Sequence, residues 1–333
     1  MVFPKIGFRG SSAPDVFVSR KIREEAVDHL ESNGLKVEVN EIDSKLPKDV
    51  LIERTKGKKG LICLLNDEID RELIEECEKL EAISNIGGGV GNIDINAAKE
   101  HNITITYTPG VMTEATADHT FALLLGASRK IPRADEVARN DEWGSWEVLK
   151  SPMGINVHEK TLGIVGLGQI GQAVAKRADQ GFDMDVIYID KKRKSDMERE
   201  LGCKYTEFNE LLQESDFVTI HVPLNPETKH MFGEKEFKKM KKNAILVNTA
   251  DGGIIDEKAL AKALKNNEIR AAAIDTFENE PIINSELKEI KNKLILTPHI
   301  GAATKETAHE LSMMAAKNLI KALKDKKTSD KIN

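Results

Sequence analysis

Along most of this chain, short unbroken apolar runs alternate with segments whose apolar residues recur three or four positions apart. The runs "VFVSR" (16–20), "LKVEV" (35–39), "GLICLL" (60–65), "AISNIG" (82–87) and "ITIT" (103–106) read as strands. Between them, "REEAVDHLESN" (23–33), "ELIEECEKL" (72–80) and "INAAKEH" (95–101) read as helices. This alternation implies a parallel sheet with helices on both faces. The opening residues 1–14 fit no element and read as an irregular arm. After the fifth strand, residues 113–130 carry apolar positions at helical spacing. The following stretch to 157 is turn-rich and reads as a connector, with Trp143 and Trp146 as packing anchors.

A second alternating series begins at Thr161. Its strands are "TLGIVG", "DVIYID", "FVTIHV", "AILVNT", "AAAID" and "LILT". The tail "LSMMAAKNLIKAL" (311–323) reads as a final amphipathic helix. A length of 333 residues exceeds one comfortable core, which agrees with two series and two domains. A net charge of −6 weighs against a nucleic-acid or anionic-membrane partner. The densest basic run, "KKRK" (191–194), is short. Cys63, Cys77 and Cys203 show neither metal-ligand spacing nor an even disulfide framework, so no metal is expected and a reducing cytoplasm fits. No apolar run approaches the roughly 20 residues of a membrane span, and no secretory leader is legible.

The strongest motif is "TLGIVGLGQIGQAVAKRADQGFDMDVIYID" (161–190). Gly166, Gly168 and Gly171 make G-x-G-x-x-G directly after a strand and at the start of a helix, where Gln169 and Ile170 begin the first turn. Such glycines permit a tight turn and close approach of a pyrophosphate to the helix N-terminus. A second strand ends in Asp190, nineteen residues beyond Gly171, placed to accept from adenosine ribose hydroxyls. Asp190 favours NAD over NADP because it repels a 2′-phosphate, although Lys191, Lys192 and Arg193 can offset that repulsion.

Ligands of doubly wound sheets gather beyond the carboxyl ends of the strands. Asp251 follows "AILVNT", Glu280 follows "AAAIDT" and His299 follows "LILTP", so all three are expected on one rim. Hydride transfer to a ketone needs a proton donor, a histidine suits both directions, and a carboxylate orients it. Spacing alone leaves open a surface histidine and a solvated acid. In the first series, "SNIGGGVGNID" (84–94) offers consecutive glycine amides as a carboxylate nest or, equally, a flexible turn.

These motifs resemble, in order, those of the D-isomer-specific 2-hydroxyacid dehydrogenases, the group that includes glyoxylate/hydroxypyruvate reductases and D-3-phosphoglycerate dehydrogenases. The blocks are "GNIDINAAKEHNITITYTPG", "TADHTFALLLGASR", "TLGIVGLGQIG", "VNTADGGIIDEKAL", "AAAIDTFENEP" and "LILTPHIGAAT". The resemblance implies an α/β protein of two doubly wound parallel-sheet domains. A flavodoxin-like substrate domain would be built from 1–107 with 299–333, and a Rossmann NAD-binding domain from 108–298, in a homodimer. It implies His299 as acid/base with Glu280 as partner, and the amides of Gly88, Gly89 and Val90 around the substrate carboxylate. Pro223, Thr228, Thr249, Asp275 and Gly301 join the glycine-rich turn and Asp190 on the cofactor, with Asp275 near the nicotinamide carboxamide.

Two positions depart from the family. Tyr107 stands where asparagine is commoner. Asp251 stands where the family has an arginine that contacts the substrate carboxylate and the carbonyl oxygen being reduced, a task suited to a planar guanidinium. At about 4 Å and an effective dielectric near 20, the like-charge repulsion from Asp251 is roughly 4 kcal/mol before screening. Four explanations stand open: a cation-bearing substrate, pairing with Arg9 of the N-terminal arm, a weakened enzyme, or an Asp251 turned outward. The functional expectation is an NAD-dependent oxidoreductase of a small 2-hydroxy or 2-oxo acid with an altered substrate site. Its alternative is a catalytically weakened NAD(H)-binding dimer acting through partner contacts.

Overall fold

The computed structural model describes residues 13–42, 44–146, 149 and 152–325. Residues 1–12 of the N-terminal arm, Arg9 among them, lie outside the described residues. The chain divides into two compact units, Met1–Met112 with Ala303–Asn333, and Thr113–Ala302. These divisions fall a few residues beyond the expected 107/108 and 298/299. Helix Thr113–Arg129 buries Ala117, Phe121 and Leu124 in the second unit's core, and the backbone at 299–301 is hydrogen-bonded to Asp275 of that unit.

The first unit carries β1 (Val16–Val18), β2 (Val37–Val39), β3 (Gly60–Leu64), β4 (Ala82–Ile86) and β5 (Thr104–Tyr107). All pair in parallel in the order β2-β1-β3-β4-β5. Burial on both faces explains why β1 and β3 are continuous apolar runs rather than alternating. One face packs Phe17, Leu61 and Ile83 against Leu73 and Ala97. The other packs Val16, Val18 and Ile62 against Ala315, Ala316 and Leu319 of the C-terminal helix Lys305–Asp325, so both chain ends build this unit. Helix Lys48–Thr55 did not stand out in the sequence. Only Leu51, Ile52 and Thr55 are buried along it, so its apolar stripe is too narrow to show as periodicity.

The second unit holds β6 (Thr161–Val165), β7 (Asp185–Ile189), β8 (Lys204–Tyr205), β9 (Phe217–Ile220), β10 (Ile245–Asn248), β11 (Ala271–Ile274) and β12 (Leu294–Leu296). The order is β12-β11-β10-β9-β6-β7-β8, all parallel, with the direction of winding reversing between β6 and β9. Two cores cover its two faces. The edge strand β8 was missed because it is two residues long and one of them is an exposed lysine.

Lys130, at φ 54°, breaks the long helix. A further helix, Ile131–Arg139, follows inside the stretch read as a connector, and none of its residues is buried. Trp143 and Trp146, expected as packing anchors, are instead 58% and 81% exposed. All three cysteines are free and buried, and burial pushes the Cys77 and Cys203 thiols up to about 11, which keeps them unreactive. Among the described residues no helix is long and apolar enough to cross a membrane.

Candidate active site

Because every strand of the second unit runs the same way, the loops after β6, β7, β9, β10, β11 and β12 share one edge of the sheet. The glycine-rich turn leaves β6 there. Gly166 adopts φ +96°, in the left-handed region that favours glycine. A Cβ on Gly171 would lie 2.1 Å from the Gly166 carbonyl oxygen, so that position admits no side chain. Gly168 is different: a Cβ there would meet nothing within 4 Å. Open space in front of Gly168, at the N-terminus of helix Gln169–Phe182, is the cradle a pyrophosphate requires. Gln169 in the first turn is exposed and Ile170 is half-buried.

Asp190 follows β7 and folds back on the turn. Its Oδ2 accepts from the Leu167 N–H at 2.9 Å and pairs with Lys194 Nζ at 3.0 Å, while Oδ1 has no partner among the described residues. Lys194 also donates to the Leu167 carbonyl at 2.6 Å, which ties Asp190 to the turn from a second side. The basic run is largely consumed: Lys191 pairs with Glu227 and Arg193 with Glu198, each at 2.8 Å. Of the four basic residues that follow Asp190, Lys194 pairs with Asp190 itself and Lys192 alone has no ion-pair partner among the described residues, which leaves little to offset a 2′-phosphate. An acid with one open oxygen beside an open glycine cradle fits an adenosine dinucleotide with an unmodified ribose.

After β9, Thr228 spends its hydroxyl inside its own loop. It donates to the Pro223 carbonyl at 2.7 Å and accepts from the Asn225 N–H at 2.9 Å, which fixes the Pro223 turn. Thr249, after β10, shares a 2.9 Å hydrogen bond with Thr120 on helix Thr113–Arg129. Asp251 is exposed, and its Oδ2 accepts from the Leu224 N–H at 3.0 Å. Among the described residues no lysine, arginine or histidine forms an ion pair with it. The loop after β10 is pressed against the loop after β11, since a Cβ on Gly252 would lie 2.0 Å from the Phe277 carbonyl carbon.

That second loop carries Glu280. Its Oε1 accepts from the Phe277 N–H at 3.0 Å, and its carboxylate meets His299 Nδ1 at 2.9 and 3.1 Å. The remaining ring nitrogen of His299, Nε2, has no partner among the described residues, and the side chain is 61% exposed. His299 is held at φ +53° by its N–H, which donates to the Asp275 carbonyl at 2.8 Å. A second couple on the same edge, His230 with Glu278 at 2.5 Å, escaped sequence reading.

Asp275 is the hub of the rim. It is 1% exposed, and its carboxylate accepts from Thr297 Oγ1 (2.6 Å), the Ile300 N–H (2.9 Å) and the Gly301 N–H (2.8 Å). His119 Nε2 lies 3.3 Å from Oδ1. Burial alone would raise the Asp275 pKa, but His119, the Thr297 hydroxyl and the Ile300 N–H together outweigh it and hold the carboxyl down at about 2. Sequence reasoning missed His119. Its only signal was a histidine on the otherwise inward-facing side of "TADHTFALLL".

In the first unit, Gly88, Gly89 and Val90 follow β4. Their N–H groups have no acceptor among the described residues, as a carboxylate nest requires. The loop is pinned by its asparagines: Asn85 Nδ2 donates to the Gly89 carbonyl at 2.7 Å, and Asn92 Nδ2 donates to the carbonyls of Leu64 (3.0 Å) and Asp67 (2.8 Å). Asp67 is in turn anchored by Ser19 and by a buried pair with Arg20 at 3.1 Å.

Fold and site together define a two-domain α/β protein with a dinucleotide cradle and an imidazole–carboxylate couple on the same sheet edge. Residues 121–301 match the family described as D-isomer specific 2-hydroxyacid dehydrogenase, NAD binding domain. The chain is 46% identical to a glyoxylate reductase of Thermococcus litoralis over 310 residues, 92% of this chain and 93% of that one. Its fold is similar to the solved structure of the TT0316 protein of Thermus thermophilus, with a TM-score of 0.90, 37% identity, and 96% and 99% of the two chains covered. A D-lactate dehydrogenase of Aquifex aeolicus, solved with NAD and lactic acid, is also similar, with a TM-score of 0.77, 27% identity, and 92% and 94% covered. The chain belongs to the D-isomer-specific 2-hydroxyacid dehydrogenase family and is an NAD-dependent enzyme of that family.

Proposed function

We propose that this enzyme reduces a small 2-oxo acid to the corresponding 2-hydroxy acid, of D configuration where C2 becomes a stereocentre, with glyoxylate as the reference substrate and a site altered at Asp251. The observation that carries the reading is the Glu280–His299 couple, 2.9 Å apart, with Nε2 of the imidazole left for a substrate. Bound NADH supplies the hydride. Protonated His299 gives its Nε2 proton to the carbonyl oxygen as that oxygen becomes an alkoxide, and recovers a proton from solvent afterwards. Glu280, at Nδ1, fixes the ring and faces its positive charge. Family resemblance alone assigns a carboxylate to the amides of Gly88–Val90, which have no acceptor among the described residues. Asp190 Oδ1 receives the ribose hydroxyls, and the glycine cradle receives the pyrophosphate. The homodimer and the cytoplasm belong to this reading through the family alone.

Asp251 shapes the substrate range. An exposed carboxylate with no cationic partner among the described residues repels a second anion and attracts a cation. The reading therefore gives slow turnover of glyoxylate and preference for 2-oxo acids that carry an amino group. The second reading, an NAD(H)-binding dimer with little catalysis, rests on the same residue. The test is NADH consumption across glyoxylate, hydroxypyruvate, pyruvate and amino-substituted 2-oxo acids, with the product resolved on a chiral column. A D-hydroxy acid from any prochiral member of the panel, or glycolate from glyoxylate, supports the enzyme, and amino-bearing substrates should lead. Tight NADH binding with no turnover of the whole panel would favour the silent dimer.

A further inference from the structure

At the amino-terminal edge of the second unit's sheet, opposite the dinucleotide cradle, a cavity of about 330 Å³ opens beneath β10, β11 and β12. Lys242 comes from the turn into β10, Arg270 from the turn into β11, and Lys291 and Lys293 from the turn into β12. Lys130 and Arg133 close it from the break between helices Thr113–Arg129 and Ile131–Arg139. Among the described residues that line it, six side chains are basic and none is acidic, in a chain whose net charge is −6.

Five of these six have no carboxylate partner among the described residues. Arg133 alone has acidic partners among the described residues, Glu136 at 2.7 Å and Glu142 at 3.2 Å. Lys293 donates only to neutral oxygens, the Leu264 carbonyl and Asn267 Oδ1, both at 2.7 Å. Arg270 donates to the Met153 carbonyl at 3.4 Å. Lys130, Lys242 and Lys291 have no ion-pair partner among the described residues. Several unneutralised cations around a concavity repel one another, and the low-dielectric walls focus their field into it. The volume lies within the roughly 300–1,000 Å³ of small-ligand pockets.

We infer that this cavity is a second anion site, built for a small molecule carrying several phosphate groups. Lysine ammonium groups act there as point charges and Arg270 offers planar, bidentate donors. A single carboxylate such as the substrate's would neutralise too little of the cluster.

The test uses the full-length enzyme saturated with NADH, which occupies the phosphate cradle at the other edge. Inorganic triphosphate and, separately, ATP are titrated while thermal unfolding and calorimetric binding are followed. Triphosphate should raise the melting temperature and bind, and Lys242→Glu/Lys291→Glu should weaken it by at least about tenfold, since it reverses two of the contributing charges. Lys176→Glu/Lys235→Glu, on exposed surface outside the cavity, changes net charge equally and should leave affinity within about twofold. ATP binding tighter than triphosphate identifies a nucleotide site, and equal affinity identifies a site for the phosphates alone. Both variants should keep the parent's rate of NADH oxidation. The inference is overturned by no response to triphosphate in the NADH complex, or by equal weakening in both double variants.

Discussion

Asp251→Arg separates the charge at this position from the chemistry a guanidinium would add. In the parent, Asp251 Oδ2 accepts from the Leu224 N–H at 3.0 Å on an exposed loop. Water replaces that acceptor in the variant, so the stability cost is about 1 kcal/mol, or about 2–4 °C in melting temperature for a unit of this size. On the kinetic side, the unscreened like-charge repulsion of about 4 kcal/mol overstates the gain, because exposed pairs realise at most about 1 kcal/mol, less than tenfold. A cationic donor at the oxygen being reduced matters more, about 10²–10³ in rate. Asp251→Arg should therefore raise kcat/KM for glyoxylate by about 10²–10³. Asp251→Asn, which removes the charge but adds no cation, should raise it less than about tenfold. Both are read from NADH absorbance under the same conditions, with glyoxylate well below KM. If the two variants fall within about threefold of each other, a side chain at 251 does not reach the reacting carbonyl, and the account of the altered site fails.

Three further outcomes follow from the rim. His299→Asn should lower kcat by about 10²–10⁴ with NADH affinity unchanged by fluorescence titration, and Glu280→Gln should lower it less. An equal loss in His230→Asn would move the acid–base role to the His230–Glu278 couple. Asp275, held at about 2 against an ordinary 3.8, contributes stability that is fully present above about pH 4 and is lost as pH falls through 2. That contribution is about 2 kcal/mol, so urea midpoints of the parent should decline between about pH 4 and 2 more steeply than those of Asp275→Asn. Parallel declines would show that the hub is not the titrating group. Asp190→Ser should shift the NADPH-to-NADH ratio of kcat/KM upward by at least about tenfold, because Lys194 loses its carboxylate and stays beside the ribose site. An unchanged ratio would mean that specificity is set elsewhere.

The sequence determined most of the strands, their parallel pairing and the shared edge of the second sheet that carries Asp251, Glu280 and His299. Uninterrupted apolar runs have few alternatives once helices separate them, and parallel strands necessarily present their carboxyl ends together. The turn at Gly166 and Gly171 was legible for the same reason: it is a backbone requirement, which is local, and the expectation for Asp190 rests on an equally local spacing. Helix Lys48–Thr55 and the short β8 were not, because their existence depends on what they pack against rather than on their own pattern. Trp143 and Trp146 misled, since an apolar side chain states a preference for burial and not its location.

Only the tertiary structure decided who pairs with whom. His119 meets Asp275 across 156 positions of the chain, and Asn92 braces the nest by bonding to a neighbouring loop. It also showed that Lys191 and Arg193 are spent on Glu227 and Glu198, and that Asp251 caps the Leu224 N–H with no cation paired to it among the described residues. Side-chain hydrogen bonds and ion pairs act over a few ångströms in space and leave no period along the chain. Their partners become known only when the sheet has brought distant loops to the same edge.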